Sequence, residues 1–290
     1  MLLPGDLALL WSPERGDRYL VKVQPGASQG TQLGAVPHAL LLERSFGDVV
    51  HTHLGKPLMV LRPSLAEFCL RVKRRTQVIY PKEAGYLLMY LGIAPGATVV
   101  ECGSGSGGFT TVLAHFVGPQ GRVVSYERRP EFQEIARNNV ERWGVGDRVT
   151  FKVRDIAEGF DETGAHAVFL DVPTPWEYLE QTKKALLPGG RLGILVPTFN
   201  QIQQSIEALR AGSWVDIEAL EILLRHLKTN PARLRPEDTM VGHTGYLVFA
   251  SSVSAEAARA LPWGEDAPEL FVAPEACSGD GPTPPPTSGS

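Results

Sequence analysis

The sequence predicts an α/β fold: a doubly wound, seven-stranded sheet with crossover helices, preceded by a small N-terminal β-rich domain. Three observations predict it. Residues 98–110, TVVECGSGSGGFT, pass from a short apolar run into close-set glycines and then into a helical pattern carrying Phe109, Val112, Leu113 and Phe116. Beyond this stretch, strand-like and helix-like segments alternate without a gap to residue 250. Before it, residues 1–62 hold only short apolar runs between glycine, proline and serine stretches such as PGASQGTQLG.

Composition narrows the class. The chain has 290 residues, 43% hydrophobic and 21% charged, as in an ordinary soluble globular protein. No eighteen-residue apolar run is present, so no membrane span is expected. MLLPGDLALLW has no basic region ahead of its apolar residues, so no signal peptide is expected either. Cys69, Cys102 and Cys277 are scattered and odd in number, which suggests neither a disulfide frame nor a metal site and fits a cytoplasmic protein. The net charge is −4, but Glu256, Glu265, Asp266, Glu269, Glu275 and Asp280 crowd the C-terminal tail against one base, Arg259. The body is near neutral, so local basic clusters must decide whether nucleic acid binds.

In order, residues 7–11, 19–23, 39–42 and 57–61 read as the short runs of a small barrel or meander. Residues 64–75, SLAEFCLRVKRR, read as a helix with Ser64 and Glu67 as a capping box and Leu65, Phe68, Cys69 and Val72 on one face. Its basic end, Arg71, Lys73, Arg74 and Arg75, suits either dipole compensation or phosphate contact. Tyr80-Pro81 breaks the chain before a helix at 82–91, and Tyr80 suits simple packing or a lid over a bound base. Strands are then expected at 98–100, 122–127, 148–153, 166–171 and 191–196. Helices are expected at 109–117, 130–143, 176–187 and 200–211. Residues 217–224 and 244–250 read as two closing strands suited to antiparallel pairing. The nucleotide-type domain is therefore placed at 63–254. The Pro/Gly/Ser-rich acidic tail at 255–290 is expected to be disordered from about residue 273.

Chemistry is expected at the strand ends. The glycines run G-x-G-x-G rather than G-x-G-x-x-G, and Glu101 stands just before them. A carboxylate there suits a ligand with positive charge, a sulfonium or an α-amino group, better than a pyrophosphate. A nicotinamide enzyme is the rival on the loop alone. Glu127, twenty residues past Gly107, is placed to accept from ribose hydroxyls. Asp155 is placed to accept from an adenine amino group, with Ile156 against the ring. Asp171 ends the fourth strand in DVPTPW, where Pro173, Pro175 and Trp176 would form a wall for a planar substrate. Any one of these acids has an ordinary reading as an exposed strand end; three in register do not. If the acceptor is a ring nitrogen with a free lone pair, a carboxylate at the neighbouring amino group orients the ring and stabilises its developing charge.

E-x-G-x-G-x-G resembles motif I of the class I methyltransferases that use S-adenosyl-L-methionine, and the expected strands suit the seven-stranded methyltransferase sheet. RRTQVIYPKE, ECGSGSGGFT, SYERRPEF, DVPTPW, PTFNQ and RPEDTMVGHTGYLVFA together resemble the tRNA (adenine-58-N1)-methyltransferases of the TrmI type, over roughly residues 60–250. The RRTQ-x-x-YPK and MVGHTG blocks are more specific than the glycine loop. The resemblance implies methylation of N1 of a T-loop adenosine in tRNA by a homotetramer. It implies that Asp171 is the catalytic aspartate and that Tyr80 helps hold the extruded adenine. It places Ile79, Gly103, Gly105, Ser106, Gly107, Gly108, Glu127, Phe132, Asp155, Ile156 and Asp171 around the cofactor. Phe132 stands where relatives often have arginine or histidine, so no polar contact is expected there, and Ser104 replaces a threonine but keeps its hydroxyl. Arg74 and Arg75, with Arg225, Lys228 and Arg233, are the candidate RNA contacts flanking the Asp171 pocket. His243 reads as packed and hydrogen-bonded rather than catalytic. The rivals are a methyltransferase of the same fold acting on a protein or small molecule, and a non-catalytic tRNA-binding subunit. The intact glycine loop and Asp171 speak against the latter.

Overall fold

β-branched and leucine-rich runs pair first, at the N-terminus. The computed structural model describes residues 1–259. β1 (Leu7–Trp11), β2 (Arg18–Lys22), β3 (Ser28–Thr31), β4 (Gly34–Pro37), α1 (His38–Leu42), β5 (Val49–His51) and β6 (Pro57–Leu61) form the N-terminal unit. Its four-stranded sheet runs β2-β1-β6-β5, with β3 and β4 as a separate hairpin. The run at 39–42, grouped above with the strands, belongs to α1, which buries His38 and Leu41. Leu10, Val21, Val36, Leu41 and Val60 share the small core beneath.

α2 (Leu65–Leu70) starts on the expected capping box: Ser64 Oγ accepts the Glu67 N–H at 3.1 Å, and the Glu67 carboxylate accepts the Ser64 N–H at 3.0 Å. It stops five residues before the expected end. Arg71 leaves helical geometry at φ −121°, so Arg71–Arg75 form a connector and not a final turn. Val72 and Val78 hold that connector in the main core. α3 (Pro81–Tyr90) follows, with Tyr80 at its N-cap and Pro81 in its first turn.

The sheet domain then proceeds through β7 (Thr98–Cys102), α4 (Gly108–Val117), β8 (Arg122–Glu127), α5 (Pro130–Trp143), β9 (Val149–Val153) and β10 (Ala165–Leu170). It closes with α6 (Leu179–Ala185), β11 (Leu186–Val196), α7 (Phe199–Ala211), β12 (Trp214–Leu220), β13 (Tyr246–Ser252) and α8 (Ala255–Arg259). Its seven strands are ordered β12-β13-β11-β10-β7-β8-β9. β13 runs antiparallel to both β11 and β12, while β11, β10, β7, β8 and β9 are mutually parallel. This is the methyltransferase sheet. Strand order reverses between β7 and β10, so the crevice beyond Cys102 and Leu170 is where a ligand is expected.

Other boundaries differ from expectation, among them the end of β12, at Leu220 and not 224, and β13, which runs Tyr246–Ser252 and not 244–250. The helix expected at 176–187 begins as a short 3-10 turn over Pro175–Tyr178, and β11 already starts at Leu186. β12 begins at Trp214, not 217, because a bulge between Val215 and Glu218, with Asp216 at φ 54°, interrupts its alternation. Among the described residues no helix is long and apolar enough to cross a membrane. The tail expectation falls beyond residue 259, outside the described residues, except for α8.

Candidate active site

The glycine loop is shaped by what presses on it. Gly103 sits at φ 89°, and a Cβ there would lie 2.2 Å from the Asp171 carbonyl oxygen. The Asp171 N–H donates to the Cys102 carbonyl at 2.9 Å, so the ends of β7 and β10 are sewn together. Gly107 caps α4 in the left-handed region, and a Cβ there would meet the Ala136 backbone at 2.6 Å; this glycine admits α5. A Cβ on Gly105 would face Thr76 Oγ1 at 3.1 Å. Thr76 directly follows the connector, which is pinned over the loop. Thr76 Oγ1 and Ser106 Oγ are 2.8 Å apart, and Asn139 Nδ2 donates to both the Ser106 and Lys73 carbonyls at 2.8 Å. Sequence reading missed Thr76 and Asn139.

The crevice has two lobes sharing Gly103 and Asp171. The wider, about 150 Å³, is lined by Glu127, Arg129, Asp155, Ile156, Pro173 and Tyr178 among others. The narrower, about 20 Å³, is lined by Ile79, Glu101, Gly105, Ser106 and Gly108. Most of the expected cofactor residues thus meet in one place. Gly107 lies behind the loop. Phe132 lines neither lobe; its ring is half-buried under the Arg129 guanidinium, 3.8 Å away. Tyr80 also lines neither lobe and stands half-buried at the head of α3.

Four carboxyls surround this crevice. Glu101 is buried, and its Oε2 accepts from Thr110 Oγ1 at 2.6 Å and Ser125 Oγ at 2.5 Å. Burial nonetheless pushes it up to about 7; the two hydroxyls oppose the shift, and the Asp171 and Glu127 charges add to it. Asp171 is likewise pushed up to about 7, by desolvation first and the Glu127 charge second, although water in the open crevice reaches its side chain. Glu127 is buried and accepts from the backbone N–H and Nε of Arg129, both at 3.1 Å. Asp155 spends one oxygen on the Ala157 N–H at 2.9 Å.

The two sequence blocks singled out as most specific meet in space. Lys82 Nζ donates to Thr244 Oγ1 at 2.6 Å and to the Ile222 carbonyl at 2.5 Å, and it pairs with the buried Glu83, to which Thr244 Oγ1 also donates. YPKE and GHTG therefore clamp the head of α3, and with it Tyr80, to the last strand. His243 is bonded as expected: Nδ1 lies 2.8 Å from Glu221 Oε1 and Nε2 lies 2.9 Å from the Pro197 carbonyl. Both contacts hold its pKa above the ordinary value.

Neither basic cluster lines the crevice. Lys73, Arg74 and Arg75 are exposed beside a groove of about 400 Å³ that also touches Glu131 and Glu134 of α5. Arg225 and Arg233 lie exposed between β12 and β13, and Lys228 pairs with Asp238 at 2.6 Å. The arginines at the crevice are Arg128, Arg129 and Arg154, which charge counting along the chain did not single out. Among the described residues no cluster of three or more His, Cys, Asp or Glu is placed to hold a metal ion.

Known proteins resemble this chain over most of its length. The family model for the tRNA methyltransferase complex GCD14 subunit matches residues 58–234. TrmI of Thermus thermophilus, a tRNA (adenine(58)-N(1))-methyltransferase, is 37% identical over 86% of this chain and 97% of its own. The Methanocaldococcus jannaschii enzyme, named for adenine 57 and adenine 58, is 33% identical over 82% of this chain and 92% of its own. Among solved structures, a Thermotoga maritima S-adenosylmethionine-dependent O-methyltransferase superposes with TM-score 0.83 at 41% identity, covering 87% of this chain and 95% of that one. TrmI of Aquifex aeolicus, a tRNA m1A58 methyltransferase, superposes with TM-score 0.76 at 33% identity, covering 87% and 99%. Likeness on this scale, carried by the sheet order as well as the sequence, makes the chain a member of the tRNA (adenine-58-N1)-methyltransferase family.

Proposed function

We propose that the protein transfers a methyl group from S-adenosyl-L-methionine to N1 of adenosine 58 in the T loop of tRNA. The observation that carries this is the position of Asp171: it ends the strand at the topological switch point and lies on the wall shared by both lobes. The cofactor fits the residues present. Glu101 and Asp171 are both held near 7 partly by neighbouring negative charge, and a ligand carrying sulfonium and ammonium groups offsets that charge. Glu127 and Asp155 would hold the nucleoside end in the wider lobe, and the loop from Gly103 to Gly108 the amino-acid end in the narrower one. The bound cofactor supplies an electrophilic methyl group on sulfur.

Adenine N1 has a free lone pair, so no base need remove a proton before attack. As positive charge spreads over the ring, ionised Asp171 accepts from the exocyclic amino group and stabilises it. Tyr80, whose helix is clamped through Lys82 and Thr244, would help hold the extruded base. Arg74, Arg75, Arg225 and Arg233 are proposed phosphate contacts outside the crevice, whereas Lys228 already pairs with Asp238. We further propose that residues 1–62 form a separate domain, supported by their own small core, and that four copies assemble in the cytoplasm.

The O-methyltransferase among the structural neighbours favours a second reading, an oxygen acceptor, with Asp171 near 7 serving as its base. One measurement separates the two. Label from S-adenosylmethionine is followed into unmodified tRNA transcript, and the product nucleoside is identified by mass spectrometry. N1-methyladenosine mapped to the T loop is expected. Cofactor binding without transfer to tRNA would leave the protein and small-molecule acceptors. Absence of cofactor binding by calorimetry would turn the reading to a non-catalytic subunit.

A further inference from the structure

Phe199 opens α7 with 71% of its surface exposed. A single exposed apolar residue is ordinary, but this one is the end of a row of three rings packed at a tilt. Its ring lies 4.7 Å from that of Tyr246, and Tyr246 lies 4.6 Å from His243. His243 is fixed on both sides. The Pro197 carbonyl can only accept, so Nε2 carries a hydrogen, and the Glu221 carboxylate draws a second hydrogen to Nδ1. The cation so favoured lies against the Tyr246 ring, an attractive arrangement. Three rings thus run from an anchored ion pair to an open aromatic face.

The row of rings stands beside the crevice. Phe199 follows the carboxyl end of β11, and β11 pairs with β10, whose carboxyl end leads into Asp171. Gln201 Nε2, in the same first turn of α7, donates to the Pro173 carbonyl at 2.9 Å and ties this turn to the Asp171 loop. Yet Phe199 lines neither lobe of the crevice, so a base taken in toward Asp171 does not rest on it.

We propose that the open face of Phe199 is a stacking platform for an unpaired RNA base neighbouring the one that enters the crevice. This rests on the tRNA reading above. Extruding one base leaves its neighbours without a stacking partner, and any base offers a face that an aromatic ring can cover. A ring backed by Tyr246, which His243 packs against in turn, loses little freedom in doing so.

The test compares wild type, Phe199→Ala and Phe199→Trp. Steady-state kinetics on unmodified tRNA transcript are measured alongside calorimetric S-adenosylmethionine affinity and solution mass by light scattering. Phe199→Ala is expected to raise KM for tRNA about tenfold, with kcat and cofactor affinity within about twofold. Phe199→Trp is expected to restore KM. An unchanged KM in Phe199→Ala, with wild type active on tRNA, overturns this inference alone. A change of solution mass accompanying the KM change also overturns it, and assigns the face to contact between copies. Wild type inactive on tRNA removes this inference together with the reading beneath it.

Discussion

Glu101 lies on β7 and Asp171 directly follows its parallel neighbour β10, where Phe169 pairs with Glu101 and Leu170 with Cys102, and desolvation holds both carboxyls near 7. Their surroundings differ. Glu101 lies sealed, with Thr110 and Ser125 donating to one oxygen and Ser104 Oγ 2.6 Å behind Ser125. Asp171 opens to solvent, and among the described residues no side chain hydrogen-bonds its carboxyl. A shifted pKa therefore does not separate a supporting acid from a working one; unmet hydrogen-bonding capacity does. Glu101 braces the turn, whereas the Asp171 carboxyl keeps its hydrogen-bonding capacity open toward the crevice.

Gly103→Ala is the harshest way to break this pairing, since its methyl group would drive into the Asp171 backbone that joins the two strands. Loss of cofactor affinity by more than about a hundredfold is expected by calorimetry, with a lowered Tm as the independent readout. Unchanged affinity would show that the strand ends separate freely.

Asp171→Ala comes next, with kcat reduced about 10²- to 10³-fold and cofactor affinity changed only a few-fold. The wild-type pH profile sharpens the same point. A carboxyl held near 7 in the free protein is protonated below that pH and ionised above it, so kcat/KM should climb through about pH 7 and level off. A profile already flat at pH 5 would mean that Asp171 is not both held near 7 and required in its ionised form.

How legible these two acids were differs too. Position along the chain marked both as strand ends, because the period of two gives way to glycines after β7 and to DVPTPW after β10. What surrounds them was not legible, since it comes from distant residues. Thr76 reaches Ser106 across 30 positions, Asn139 reaches Lys73 across 66, and Lys82 reaches Thr244 across 162. No local period encodes such contacts. The same locality explains the errors in the elements. A short apolar run such as HALLL does not distinguish strand from helix, and the left-handed Asp216 in β12 erases an alternation that would otherwise have set its start. The order of the sheet survived because each βα unit carries its own caps and apolar face.

Glu101→Gln probes the sealed partner. Folding raises this carboxyl from 4.5 to about 7, so between those values the folded state binds more protons than the unfolded one. Stability should fall as pH rises through that window, and the loss should be complete above 7. A shift of that size corresponds to about 3 kcal/mol at most. Glutamine keeps an oxygen for Thr110 and Ser125 without the charge. Denaturant midpoints at pH 5 and pH 8 should therefore lie closer together in the variant. An unaltered gap would assign the pH dependence to other groups.

Met and unmet charge separates the two basic clusters in the same way, with the smallest expected effect. Lys228 and Arg235 both pair with Asp238, so the protein already supplies their counter-ion. Among the described residues Arg74 and Arg75 have no acidic partner, and they stand on the connector that covers the glycine loop. Cations without an internal partner carry condensed counter-ions that binding to phosphate replaces, and this makes affinity fall with salt. Neutralising Arg74 and Arg75 together should therefore flatten the log–log salt dependence of tRNA binding by about 1.4 to 1.8. Lys228→Ala should leave the slope nearly unchanged, because Asp238 remains beside Arg235. If Lys228→Ala flattens the slope as much as the Arg74/Arg75 pair does, the Asp238 contact opens when RNA arrives, and a charge met within the free protein does not mark a residue as unused.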